Sequence, residues 1–407
     1  MDLLITGVTR TGNLGGAAML CAVEDVLCGR VDDLALASIL PRRDRSQDGP
    51  DHARIVNSDY RYLLLVGAPL CLVLWPVRRW RWLRQVIAQL PLFGDINRCD
   101  AIADISGIAF VDGRGLALLY YNAAIVLPAL FFDKPVHKLS QALGPFERPI
   151  NSGVARWILR RCASVAARGE ISLQHLERLG VKTAIHRPDV SFALNISSEM
   201  SALACRKIED RFPGNNDTPL VLCSPSAVVK AHCAAAEVDM ISVFTEVLIQ
   251  LRELGVRVAL LPHSADTGIR KNDDETVALE IRDAAAARMV EIPILDPRGD
   301  PRMARALIGC SSVFLASRFH SMIAALSQAV PVVTVGWSHK YAEAAAPFGM
   351  ARFTIDYALL TPETLLAKIS DVLSSRVELA GAMRSAADKA KQLSIDGIRV
   401  VFDGAKV

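Results

Sequence analysis

Dense apolar runs of strand length alternate along the chain with segments whose apolar residues recur every three to four positions. LLITGV (3–8) ends in a glycine-rich loop, and GAAMLCAVEDVL (16–27) takes over with helical spacing. CDAIADISG (99–107), PVHKLSQAL (135–143), CASVAARG (162–169) and TAIHRPDV (183–190) predict later strands, each separated from the next by a helix candidate. The polar stretch 195–219 closes in a Pro/Gly/Asn cluster and predicts a boundary. A second series follows, with strands expected at 220–226, 256–264, 290–296, 312–317, 330–336 and 351–356. EVDMISVFTEVLIQLRELG and TPETLLAKISDVLSS supply helices between them. Apolar strands alternating with amphipathic helices predict parallel sheets covered on both faces. The expected class is therefore α/β, with two Rossmann-like doubly wound parallel-sheet domains, 1–195 and 220–407, joined by a linker region at 196–219. Two such domains in tandem are expected to face a cleft at the carboxyl ends of their strands, where open sheets bind ligands.

The length of 407 residues agrees with two domains. Lys+Arg number 46 against 43 Asp+Glu, a balance that gives no electrostatic footprint for a nucleic acid. The nine cysteines are scattered without C-x-x-C spacing, so reduced, buried thiols are expected in place of a zinc ribbon or disulfide framework. The N-terminus has no basic segment leading a long apolar stretch, and no apolar run reaches the ~18–20 residues that span a bilayer. The nearest, 63–77, is interrupted by Gly67, Pro69 and Pro76, and 116–132 is expected to be a core helix. The expected location is cytoplasmic, with a peripheral place on the cytoplasmic membrane face left open by the basic segment described next.

That segment is RRWRWLRQVIAQL (78–90), with four arginines in 78–84 and no acid among them. On a helix Trp80, Leu83, Ile87 and Leu90 share one face, while Arg78 and Arg81 lie off it. Arginines interleaved with tryptophans suit the headgroup layer of an anionic membrane; an apolar face packed on its own domain is the plainer alternative. Contact with nucleic acid finds no other support in the chain.

The loop TGVTRTGNLGGAA (6–18), between a strand and a helix, is either an anion cradle or a tight turn that needs glycine. It is neither a P-loop nor G-x-G-x-x-G, and Asn13 is its most notable polar residue, followed by Gly15. SQALGPFERP (140–149) places Gly144 in a turn at a strand's carboxyl end, and Arg168 closes another strand, where it either meets an anion or pairs with Glu170 or Glu177. His263 ends a further strand with Asp266 close by, and Asp273, Asp274 and Glu275 are expected to be a solvated helix start. The richest stretch is FLASRFHSMIAALSQAVPVVTVGW, continued by Ser338, His339 and Lys340. Ser317, Arg318 and His320 stand where a buried strand hands over to a helix, whose first N–H groups, joined by a guanidinium and an imidazole, favour an anion. Lys340 brings a second cation nearby.

The ordered set GNLGGAA, DISGIAFVD, SQALGPF, ARGEIS, RPDVSFAL, LLPHSADTG and SRFHSMIAALSQAVPVVTVGWSHK resembles the polysaccharide pyruvyl transferase family from about residue 3 to 356. Two positions depart from its pattern: Gly16 replaces an aspartate and Ile108 a glycine. The resemblance implies a fold similar to GT-B glycosyltransferases. It also implies transfer of the enolpyruvyl unit of phosphoenolpyruvate to a sugar of a cell-surface polysaccharide or lipid-linked precursor, as a pyruvate ketal. Phosphoenolpyruvate would be the donor substrate with no further cofactor and no metal. Arg168 and Arg318 would each hold one acidic end, and His320 would carry a proton. Asn13, Gly15, Gly144, His263, Ser317 and Lys340 would line the binding site. Two other readings are a GT-B glycosyltransferase using a nucleotide sugar, and an inactive membrane-associated scaffold of glycan assembly; the first lacks a Glu-x7-Glu pair near 314–343.

Overall fold

The computed structural model describes residues 1–45, 53–214, 218–264 and 273–402. The chain divides into two units, the first comprising Met1–Thr11, Met19–Ala193 and Gln392–Val407, the second Gly12–Ala18 and Leu194–Lys391.

The first unit is built on a parallel sheet of eight strands: β1 (Asp2–Thr6), β2 (Asp33–Ser38), β3 (Arg54–Asn57), β4 (Ala101–Asp104), β5 (Ile108–Ala109), β6 (Val136–Leu143), β7 (Ser164–Ala167) and β8 (Ala184–His186). Their order is β3-β2-β1-β4-β6-β7-β8, with β5 paired to β6. The order reverses between β1 and β4, as in a doubly wound sheet. β2 and β3 were not anticipated; each is short, and only two positions of β3 are buried. Asp104 and Lys138 form an ion pair buried in the sheet, with the Lys138 ammonium 5.1 Å from the Phe110 ring. The unit's tail is fixed by Ser394, whose hydroxyl donates to the carbonyls of Asp189 and Val190.

The second unit carries β9 (Leu220–Ser224), β10 (Arg257–Leu260), β11 (Val313–Ala316), β12 (Val332–Gly336) and β13 (Thr354–Asp356), all parallel, in the order β10-β9-β11-β12-β13. β9, β11 and β12 are buried along their whole length, which is why they read as unbroken apolar runs. The helices Met240–Glu253 and Pro362–Ser374 form where expected, the first capped by Asp239 and the second by a Thr361–Thr364 capping box.

Three local expectations are corrected. The run 290–296 contributes only an isolated bridge between Leu260 and Ile294, because Pro293 has no N–H to donate to a ladder. Half of the stretch read as a linker is the helix Ser198–Glu209, started by the Ser197 cap and placed in the second unit. Cys205 on that helix forms a disulfide with Cys310, at the end of the helix Pro301–Gly309, so two of the nine cysteines are not free thiols. Six of the others are buried and Cys28 is exposed.

The basic segment also differs from its expected form. Its helix is Arg81–Ile87, and Trp80 is the extended residue that precedes it, out of helical phase. Leu83 and Ile87 are buried in the unit's core, whereas Trp80 and Leu90 are exposed. Among the described residues no helix is long and apolar enough to cross a membrane.

Candidate functional site

In the second unit the strand order turns back between β9 and β11, and ligands of open α/β sheets bind at the carboxyl ends beside such a reversal. Ser224 ends β9 and Ser317 follows β11; the Ser317 N–H donates to the Ser224 carbonyl at 3.0 Å, extending the ladder by one rung. Both hydroxyls are buried, and neither has a hydrogen-bond partner among the described residues. Buried polar atoms are ordinarily paired, so two neighbouring hydroxyls without a partner single out the carboxyl ends of β9 and β11.

Arg318 follows directly and precedes the helix Phe319–Leu326. Its guanidinium grips both carboxylate oxygens of Asp274, with Nε and Nη2 donating over 2.7–3.1 Å. Asp274 is fully buried; burial pushes its carboxyl up, opposed by the Arg318 charge and by the Ala227 N–H that donates to it. The acidic run is therefore not wholly solvated: Asp273 is the half-buried cap of the helix Asp274–Ala286, while Asp274 turns inward. The fork of Arg318 is fixed by this carboxylate, with 17% of the side chain accessible.

The stretch Gly12–Ala18 belongs to this unit and reaches His320. A Cβ on Gly15 would stand 2.3 Å from the His320 Nδ1, so no residue but glycine fits against the ring without a shift. Exposed Asn13 accepts the Gly15 N–H at 2.9 Å and forms an antiparallel bridge with Ser264. Beside Ser264, His263 is buried, and its imidazole is pushed down to about 3 by burial and then by the charges of His320, Arg318 and Arg305. His263 is thus neutral at neutral pH. The Arg305 side chain is buried and donates to the Leu194 carbonyl at 3.3 Å. Asp266 lies outside the described residues.

Lys340 opens the helix Lys340–Ala345, with its ammonium 4.6 Å from the Trp337 ring, 5.3 Å from Phe319 and 5.5 Å from Tyr341. His232 stacks on Trp337 at 4.9 Å. Burial raises the Tyr341 phenol to about 12, and its hydroxyl faces the Ser317 carbonyl at 3.5 Å. The second cation thus stands over an aromatic floor, among rings that also contact the Arg318–His320 turn.

The other two expected residues, Arg168 and Gly144, belong to the first unit. Arg168 pairs with Asp189 at 3.0 Å, not with Glu170 or Glu177, and donates twice to the Ser140 carbonyl at 2.9 and 3.1 Å. Burial lowers its guanidinium, offset by Asp189, and 8% of the side chain is accessible. Gly144, cis to Pro145, has φ +79°, and a Cβ there would lie 2.8 Å from that of His175, so the turn needs glycine for packing. Ile108 lies in β5, paired through Ala142 of β6.

Sequence reasoning brought together Ser317, Arg318, His320, His263, Asn13, Gly15 and Lys340, all in the second unit. It missed Ser224, Asp274, Arg305, Trp337 and Tyr341. Asp274 was hidden by two acidic neighbours, and Arg305 by its place in an ordinary amphipathic helix. Trp337 and Tyr341 flank Lys340 closely enough for the Trp-Ser-His-Lys-Tyr order to have signalled a ring cluster.

The polysaccharide pyruvyl transferase family model matches residues 13–339. The amylovoran biosynthesis protein AmsJ of Erwinia amylovora is 23% identical over 311 residues, covering 73% of this chain and 71% of that one. Among solved structures, the UDP-GlcNAc 2-epimerase of Neisseria meningitidis superposes with a TM-score of 0.58 at 11% identity, over 99% of both chains. A trehalose-phosphate synthase of Burkholderia vietnamiensis gives 0.56 at 15% identity, over 100% of this chain and 99% of that one. Those likenesses establish the GT-B type of fold and nothing about substrate. The match over residues 13–339, which takes in the whole segment from Asn13 to the Arg318–His320 turn, makes this chain a member of the polysaccharide pyruvyl transferase family.

Proposed function

We propose that the chain transfers the enolpyruvyl unit of phosphoenolpyruvate onto two hydroxyls of a sugar, in a polysaccharide or a lipid-linked precursor, to form a cyclic pyruvate ketal. The observation that carries this reading is the Arg318–His320 turn at the β9/β11 reversal, beside the buried hydroxyls of Ser224 and Ser317, which have no partner among the described residues. Phosphoenolpyruvate is small and carries an acid at each end. The hydroxyls and the first N–H groups of the helix Phe319–Leu326 suit one end. Arg318, held by Asp274, and Lys340 supply positive charge for the other.

The reaction forms two C–O bonds at the central carbon and breaks its bond to the phosphate oxygen. Of the two hydroxyl protons released, one is matched at the methylene carbon, which becomes methyl, and one at the departing phosphate. His320 is the group that relays a proton here, since His263 is held neutral. No further cofactor enters this scheme. The relative's role in amylovoran biosynthesis supports a polysaccharide acceptor.

The test uses the full chain with phosphoenolpyruvate and a panel of pyranose acceptors. Acceptor-dependent release of one phosphate per ketal is expected, and in D2O the ketal methyl should carry a single deuterium by NMR. If no acceptor elicits phosphate, and a nucleotide sugar raises the melting temperature where phosphoenolpyruvate does not, glycosyl transfer replaces this reading.

A further inference from the structure

The first unit has a surface that the chemistry above does not use. From Tyr60 to Gly94 the sequence holds five arginines and no aspartate or glutamate. Two consecutive pieces of this stretch cover one core cluster: Leu63, Ala68 and Cys71 go inward from the first, Leu83 and Ile87 from the second. Their other sides face solvent with large apolar groups. Leu65 and Val73 are each 75% exposed, Trp82 is 59% exposed, and Leu72, Trp80 and Val86 accompany them. Leu65 lies in a π-helical turn, Leu63–Gly67, and Leu72 and Val73 in the helix Ala68–Val73 that continues it. Exposed Arg79 and Arg81 flank Trp80 and form no ion pair among the described residues.

Beside this surface lies a cavity of about 400 Å³ that begins at Trp75 and Arg78, the residues linking the two pieces. Arg78, Lys134 and Arg161 line it against the single carboxylate of Asp133. Arg78 and Arg161 each lie over an indole ring, 4.3 and 4.4 Å from the centroids of Trp75 and Trp157.

We infer that this surface docks the protein in the plane of an anionic phospholipid bilayer, with Trp80, Trp82 and the leucines among the upper acyl chains and the arginines at the phosphates. Exposed apolar patches of this kind mark an interaction site. Charge selects the occupant. A second copy docking through the same face would bring together two surfaces of like charge, each with the single carboxylate of Asp133 already engaged by Arg78 and Arg84. An anionic interface answers both the apolar and the basic groups at once. The inference stands apart from the donor chemistry and survives its failure.

The experiment is co-sedimentation of the full chain with vesicles of phosphatidylcholine alone and of phosphatidylcholine mixed with phosphatidylglycerol. Binding to the mixed vesicles, weakened by salt, is expected. Each basic residue at such a surface is worth a factor of about five, so Arg79→Gln with Arg81→Gln should lower partitioning about twenty-five-fold. Trp80→Ser with Trp82→Ser should lower it at unchanged melting temperature, since both side chains are exposed. Equal sedimentation with and without vesicles overturns the inference. So does binding that neither pair of substitutions reduces, or concentration-dependent self-association that the tryptophan pair abolishes.

Discussion

Two arginines of this chain stand in the same kind of place, just beyond a parallel strand and just before a helix, and each grips a buried aspartate. Their surroundings differ. Arg168 follows β7, away from the β1/β4 reversal, and its Nε and Nη2 also donate to the Ser140 carbonyl and Nη2 to the Met19 sulfur. Arg318 follows β11 at the reversal, where the strand ends carry two hydroxyls without partners among the described residues, and is close in the chain to His320 and to Phe319, whose ring lies under the Lys340 ammonium. On the proposed function the same motif would serve once to brace a sheet and once to furnish a site. What separates the two is the company around the guanidinium, since both carry a carboxylate.

The sharpest way to break the comparison is His320→Ala. Loss of a positioned acid–base group lowers a rate by about 10²–10⁴-fold. That fall in phosphate release is expected at a melting temperature close to wild type. A variant that keeps its rate per folded molecule would reduce His320 to a packing partner of Gly15.

Arg168→Met should act on stability instead. It leaves Asp189 buried and unpaired, and breaking a buried pair costs about 3–5 kcal/mol. Urea unfolding should register this, and Arg168→Met combined with Asp189→Leu should recover part of it, because the stranded charge is gone. If activity per folded molecule vanishes while unfolding is unchanged, Arg168 touches substrate and the brace is the wrong description.

Gly15→Ala comes next in size. The added methyl would meet the His320 ring at 2.3 Å, and overpacking of this kind costs about 1–3 kcal/mol. Both readouts should move, the rate more than the unfolding midpoint, since the ring must shift to admit the methyl. Unchanged kinetics would mean that the loop yields in place of the histidine.

The legibility of these features followed their range along the chain. Strands β9, β11 and β12 could be read because both sides of each are buried, and a buried strand is a dense apolar run. The Ser317–His320 turn could be read because its groups are neighbours in sequence. The carboxylate that fixes Arg318 lies 44 residues away in an acidic run, and the Cys205–Cys310 pair is separated by 105 residues; local pattern encodes neither. The assignment of one N-terminal loop to the second unit escaped for a related reason. Gly12–Ala18 groups with the second unit through tertiary contacts that no composition change announces. The exposed face of 63–73 escaped because almost every residue there is apolar, so no polar position showed which side met water.

The smallest effect concerns His263, and its sign can be worked out. The imidazole titrates at about 3 in the folded chain against an ordinary 6.5, chiefly through burial. Between these values the unfolded chain holds a proton that the folded chain lacks, so stability is fully present above pH 6.5 and declines as pH falls toward 3. The slope is at most one proton, about 1.4 kcal/mol per pH unit. Asp274 works the other way: its raised carboxyl takes up a proton at higher pH in the folded chain than in the unfolded one, so its contribution rises as pH falls toward 3.8. The two contributions separate in the difference between wild type and His263→Gln, which retains Asp274. Unfolding free energies at about pH 7, 6 and 5 should therefore fall less steeply in the variant. Parallel slopes would mean that His263 accepts a proton without leaving the folded state. The Arg318 turn would then hold two imidazoles able to carry protons, and the assignment of the relay to His320 alone would no longer follow from the electrostatics.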